Sequence, residues 1–174
     1  ELVLPIKIAK QPRLSEKELF DFLRERQGLL DGVVICGGEP TVNKDLPQFV
    51  EKIKNLPASP SQGGGFAVKL DTNGSNPEML KNLVNAKLID YVAMDIKLNP
   101  KPHTLNPRTT YETIMGEGVK IEDINKSVEF LNRGNVDWEF RTTVVPGVHE
   151  KKDFLEIAKW IGGENVKYYL QNFV

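Results

Sequence analysis

Apolar residues recur along the chain with two different periods. Five short runs rich in β-branched residues, at 33–36, 66–70, 91–96, 139–145 and 166–170, read as strands. Between them the spacing lengthens to that of helices. Leu46, Phe49, Val50, Ile53 and Leu56 share one face, as do Met79, Leu80, Leu83 and Val84. Ile121, Ile124, Val128 and Leu131 form a third stripe, and Phe154, Leu155, Ala158 and Ile161 a fourth. An earlier helix is expected over 15–26, because Ser15 and Glu18 have the spacing of a capping box, in which each side chain satisfies a free backbone N–H. Asn76-Pro77 reads as a cap followed by proline in the first turn. The alternation α-β-α-β-α-β-α-β-α-β predicts an α/β fold whose right-handed crossovers make a parallel sheet with helices outside. Such a repeat calls for a strand before the first helix, and the chain opens on Glu1 rather than Met, so an initial strand is expected to be missing.

Two inserts interrupt the pattern without dividing it, and 1–174 reads as a single domain. Residues 57–65, rich in Pro, Ser and Gly, have the composition of a surface loop. Residues 98–120, with Pro100, Pro102, Pro107 and Gly116, are long enough to act as a lid or partner-binding element, with a short helix around 109–115. Composition narrows the function: 23 Lys and Arg against 24 Asp and Glu give a net charge of −1, so no broad field draws nucleic acid or an anionic membrane. Cys36 has no cysteine partner for an internal disulfide. With only His103 and His149 beside it, it assembles neither a four-ligand zinc site nor a cysteine-held cluster. No apolar run approaches the about 18 residues that span a bilayer, and a soluble cytoplasmic protein is expected.

In parallel β/α folds ligands sit at the carboxyl ends of the strands. Those ends are polar here: Cys36-Gly37-Gly38-Glu39-Pro40, Asp71-Thr72-Asn73-Gly74, Asp95-Ile96-Lys97, Arg141 through Pro146-Gly147, and Gln171. Glycines admit a ligand close to the backbone, Glu39 can accept from an ammonium group, and Lys97 or Arg141 can neutralise a carboxylate, provided Arg141 points inward. An amino acid presents both charges. Asp71 with Asp95 can otherwise hold a small hard cation or do acid/base work. The plainer alternatives are a tight turn at Gly37-Gly38, a turn and cap at Asp71-Thr72-Asn73-Gly74, a solvated Lys97 and Gln171, and Arg141 paired with Asp137 or Glu139 at the surface. Cys36 is expected as a small buried residue and His149 as an exposed loop residue; neither histidine is assigned a role. Dinucleotide and P-loop fingerprints, Gly-x-Ser-x-Gly and His-Glu-x-x-His are absent from the sequence.

The elements Gly37-Gly38-Glu39-Pro40, Asp71-Thr72-Asn73-Gly74, Asp95-Ile96-Lys97, Arg141 with Val145-Pro146-Gly147, and Tyr168-Tyr169-Leu170-Gln171, in this order, resemble radical S-adenosylmethionine enzymes. The likeness is strongest to glycyl-radical-enzyme activases. Val33-Val34-Ile35-Cys36 and Val68-Lys69-Leu70 leading into these motifs resemble anaerobic ribonucleoside-triphosphate reductase activating proteins, and pyruvate formate-lyase activating enzyme is also similar. The resemblance implies a partial, open β/α barrel of six parallel strands, five of them in this chain. It implies that Gly37, Gly38 and Glu39 contact the methionyl amino group of S-adenosylmethionine, that Asp71, Asn73, Lys97 and Arg141 surround the cofactor, and that Gln171 lies toward its adenosine end. Asp71, Thr72 and Asp95 match a monovalent cation site. The implied activity is reductive cleavage of S-adenosylmethionine by a [4Fe-4S] cluster, giving a 5′-deoxyadenosyl radical that installs a glycyl radical on anaerobic ribonucleotide reductase, with electrons from a donor such as flavodoxin or ferredoxin.

One departure is large. The family's Cys-x3-Cys-x2-Cys cluster motif is not in this sequence, which opens Glu1-Leu2-Val3-Leu4-Pro5. The first strand and cluster loop are expected to lie upstream of Glu1, and the chain as written is not expected to cleave the cofactor. Other readings are a radical S-adenosylmethionine enzyme acting on a small molecule, such as a deazapurine-forming relative, and a cluster-free domain binding an adenosine-containing ligand for regulation. A purely structural β/α domain would leave the charged residues after nearly every strand unexplained.

Overall fold

The structure, a computed structural model, describes residues 14–57, 65–100, 114–116 and 118–173. The opening pentapeptide, His103, most of the 57–65 loop and most of the helix expected at 109–115 lie outside the described residues.

The chain alternates helix and strand: α1 (Glu16–Glu25), β1 (Gly32–Ile35), α2 (Leu46–Lys54), β2 (Ala67–Thr72), α3 (Pro77–Asn85), β3 (Tyr91–Asp95), α4 (Ile121–Leu131), β4 (Asp137–Val144), α5 (Lys151–Ile161) and β5 (Tyr168–Asn172). All five strands are parallel, and they lie in the sheet in sequence order, β1-β2-β3-β4-β5. Sequential order with right-handed crossovers puts every connecting helix on the same face. The sheet is open, with β1 and β5 as its edges.

Local chemistry explains the elements. The Ser15 side chain accepts from the Glu18 amide at 3.2 Å while Glu18 accepts from the Ser15 amide at 2.7 Å, the reciprocal cap that the sequence predicts. Asn76 caps α3 by accepting from the Met79 amide at 3.1 Å, with Pro77 in the first turn. Strand alternation then divides the sheet. Val68, Leu70, Val92, Met94 and Phe140 turn to the helices and meet Val50, Ile53, Leu80, Leu83, Ile124, Leu131, Ile157 and Ile161 in one buried core. The odd-numbered residues between them, Lys69, Asp71, Tyr91, Asp95, Glu139 and Arg141, face the other way and are only half-buried. Among the described residues the helices pack on the apolar face alone, a departure from the two-sided covering usual for parallel sheets.

Three expectations need correction. The fourth apolar stripe is turned: α5 buries Asp153, Ile157 and Ile161, while Leu155 stands 59% exposed. The cause is Asp153, whose carboxylate accepts from the Glu150 amide at 2.8 Å and from Asn99 Nδ2 at 3.4 Å, fixing the rotation of the first turn. Cys36 is exposed rather than buried, because it lies just past the end of an edge strand, in phase with exposed Gly32 and Val34. His149 is half-buried rather than solvent-facing, and both its ring nitrogens are hydrogen-bonded.

Candidate functional site

The carboxyl ends of β1 and β2 are joined by Glu39. Its Oε1 accepts from the Thr41 amide at 3.1 Å, from the Thr41 hydroxyl and from the Thr72 hydroxyl at 2.8 Å; its Oε2 accepts from the Asn73 amide at 2.6 Å. The Thr72 hydroxyl also accepts from the Gly74 amide at 3.1 Å, and the Gly74 carbonyl accepts from Ser127 on α4 at 2.7 Å. Gly74 has φ +75°, and a Cβ there would run into the Met94 and Ser127 side chains, so this tight loop requires glycine. The outcome is a carboxylate held by two loops with one oxygen crowded by donors and the other still able to accept. Beside it, Gly37 has φ +146°, a conformation that favours glycine; Gly38 does not, and a Cβ at either would meet nothing within 4 Å.

The second half of the site is a row of charges on the polar face of the sheet. Lys97 Nζ lies 2.8 Å from Asp95 Oδ2; Asp95 Oδ1 accepts from Arg141 Nε at 3.0 Å; Arg141 Nη2 lies 3.1 Å from Asp71 Oδ2. Lys69 Nζ stands 3.6 Å from both Asp71 Oδ1 and Glu139 Oε1, and Glu139 Oε2 accepts from the Tyr91 hydroxyl at 2.9 Å. Cations and carboxylates alternate in equal number, so the row is internally neutral. Strand register builds it: Asp95 lies opposite Arg141 in the β3–β4 ladder, and Asp71 opposite Ala93, whose small side chain leaves room for Arg141 to reach across. Burial works against the Arg141 charge, but Asp95 and Asp71 outweigh it and raise its pKa above the ordinary arginine value. The Tyr91 hydroxyl is pushed up to about 12 by burial and then by the Glu139 carboxylate it donates to.

Arg141 therefore does point inward, with its side chain 13% exposed, and it is paired with Asp71 and Asp95 rather than with Asp137 or Glu139. Glu39, Thr72 and Asn73 form one hydrogen-bonded set; Asp71, Asp95, Lys97 and Arg141 form another. The three side chains of the expected cation site are thereby divided between the two sets. Among the described residues no group of three His, Cys, Asp or Glu side chains is arranged to hold a metal. Gln171 lies within β5, opposite Thr143, and is exposed. Lys69, Tyr91 and Glu139 were not singled out by the sequence, although the charge pairs Lys69/Asp71 and Glu139/Arg141 at i, i+2 mark one face of a strand.

The two sets suit a ligand with hydrogen-bond donors and a carboxylate. Asp71 Oδ1 is buried without a hydrogen bond, and the Lys69 ammonium 3.6 Å away is its ion-pair partner. Glu39 Oε2 can accept further, and Lys97, paired through one bond, has ammonium donors to spare. An iron-sulfur cluster is a different matter: it needs several thiolates, and the sequence contains one cysteine. These residues alone do not hold one.

Known proteins resemble this chain in sequence and in fold. The model of the Radical SAM superfamily matches residues 10–161. Two Methanocaldococcus jannaschii proteins, both provisionally named glycyl-radical enzyme activating enzymes, are similar. The first is 37% identical over 164 residues, covering 92% of this chain and 61% of its own length; the second is 23% identical over 145 residues, covering 83% and 51%. The chain thus spans between about half and about three fifths of these relatives. The solved structure of native anSMEcpe with bound AdoMet superposes with a TM-score of 0.59 at 16% identity, covering 97% of this chain and 45% of that one, a likeness of fold. With a family model matching most of its length on an open parallel β/α sheet, this chain belongs to the radical SAM superfamily.

Proposed function

We propose that this chain is the S-adenosylmethionine-binding part of a glycyl-radical-enzyme activating enzyme whose target is anaerobic ribonucleoside-triphosphate reductase. The observation that carries the reading is Glu39: a carboxylate fixed by four donors from two loops, with a free acceptor position beside an open diglycine backbone. An amino-acid ammonium group fits that oxygen, and the backbone of Gly37 and Gly38 has space to approach the methionyl moiety.

The remaining residues take complementary parts. Lys97 receives the ligand carboxylate, since it is the more exposed cation, at 34% against 13% for Arg141. Arg141 holds Asp71 and Asp95 in place, so that both carboxylates line the cofactor's charged end. Asn73 supplies the amide that orients Glu39, and Gln171, at the far edge, lies toward the adenosine end. Asp71, Thr72 and Asp95 would take a monovalent cation only if Arg141 released the two aspartates. The cluster's chemistry, electron delivery to the bound cofactor, requires cysteines beyond this sequence, with a flavodoxin or ferredoxin as donor. What this chain contributes is binding, orientation and a neutral polar surface on which a charged ligand sits.

The test is electron paramagnetic resonance of the reductase after anaerobic incubation with the full-length protein, reconstituted with iron and sulfide, plus S-adenosylmethionine and a reductant. A glycyl-radical signal on the reductase is expected. Turnover of a small molecule with no radical on any protein partner overturns the activase reading and favours a small-molecule radical enzyme.

A further inference from the structure

Lys97 lies two residues beyond the end of β3, so its position is not set by the strand ladder. Backbone and side-chain hydrogen bonds continue the joint between β3 and β4 past that end. The Ile96 amide donates to the Arg141 carbonyl at 2.7 Å, and the Thr142 hydroxyl donates to the Ile96 carbonyl at 2.7 Å. At the next residue the Lys97 carbonyl meets His149 Nε2 at 2.8 Å, while the other ring nitrogen, Nδ1, accepts from the Val145 amide at 3.1 Å. The ring is half-buried, and its face stacks on Phe154 of α5 with centroids 5.5 Å apart and planes 29° from parallel.

The partners fix the ring's protonation state. A backbone amide only donates, so Nδ1 must be bare; a carbonyl only accepts, so Nε2 must carry the hydrogen. Of the two neutral tautomers and the imidazolium, the Nε2–H form alone satisfies both bonds. We propose that His149, as that neutral tautomer, is a positioning residue: it ties the Lys97 backbone to the turn after β4 and so aims the Lys97 ammonium at the ligand. The consequence for binding rests on the function proposed above; the tautomer does not.

The experiment is done on the full-length protein in two parts. Long-range proton–nitrogen NMR reads the protonation of each imidazole nitrogen, and His149→Gln identifies the signals that belong to His149. A bare Nδ1 with a protonated Nε2 is expected; the opposite tautomer, or an average of both, overturns the proposal. Calorimetry then compares S-adenosylmethionine affinity in His149→Ala, His149→Asn and His149→Gln. Glutamine places an amide donor near the Lys97 carbonyl, so its affinity should stay within about threefold of the parent, while Ala and Asn lose about tenfold. Parent affinity in the Ala variant, or rescue by Asn instead of Gln, overturns the proposal. If the parent does not bind S-adenosylmethionine, the proposed function fails, and the NMR result alone decides on His149.

Discussion

Replacing Glu39 by Gln changes one oxygen to an amide and keeps the side chain's shape. The amide oxygen takes the Oε1 position, where it faces the Thr41 amide and the hydroxyls of Thr41 and Thr72. The NH2 group is left opposite the Asn73 amide, which donates to Oε2 at 2.6 Å in the parent. Two donors then face each other. A hydrogen bond to a charged acceptor is worth about 1.5–3 kcal/mol, and a partly buried donor without a partner adds to the cost. A loss of about 2 kcal/mol is the expected outcome, and for a chain of this size it lowers the melting temperature by about 4–8 °C. Denaturant unfolding measures the free energy, and hydrogen exchange localises it: the Asn73 amide should lose protection before the core strands do. Parent stability together with unchanged Asn73 protection would refute the assignment of Glu39 as the brace between the two loops.

Other perturbations have equally specific outcomes. Gly74→Ala places a methyl group against Met94 and Ser127 at a positive φ, and should destabilise by about 1–3 kcal/mol by calorimetric melting. Gly38→Ala is the opposite case: the space is open and the φ ordinary, so folding should be unchanged while S-adenosylmethionine affinity falls, which melting and titration calorimetry separate. Ser15→Ala removes the α1 capping box and should cost about 1 kcal/mol in denaturant unfolding. Tyr91, raised from 10.0 to about 12 in the folded protein, contributes stability that is complete below pH 10 and lost as pH rises through about 12. The drop between those limits should be smaller in Tyr91→Phe when unfolding free energies are compared at each pH.

Much of the fold was readable because it depends on local spacing. The caps at Ser15 and Asn76, the five strands and the helices between them follow from neighbours a few residues apart. Strand ends were less readable. Asp71 and Gln171, expected just past strands ending at 70 and 170, lie inside β2 and β5, whereas Asp95 and Arg141 lie in β3 and β4 as expected. The charge row was not readable for a deeper reason: spacing tells which face a residue takes, but only register between strands tells which residues become neighbours. Lys69, Asp71, Arg141 and Asp95 are brought together across β2, β3 and β4 by that register. The stripe on α5 was misplaced because Asp153, a polar residue, is buried by its own hydrogen bonds. His149 reads as an exposed loop residue in the sequence because its hydrogen-bond partners lie 4 and 52 positions away. Among the described residues no helix is long and apolar enough to cross a membrane.

The most direct test of the account is titration calorimetry of the protein with S-adenosylmethionine and with an analogue lacking the α-amino group. If Glu39 is the ammonium acceptor, the cofactor binds and the analogue binds about 10–100-fold more weakly, the value of one charge-assisted hydrogen bond. Equal affinity for the two, or no binding of the cofactor, would contradict it.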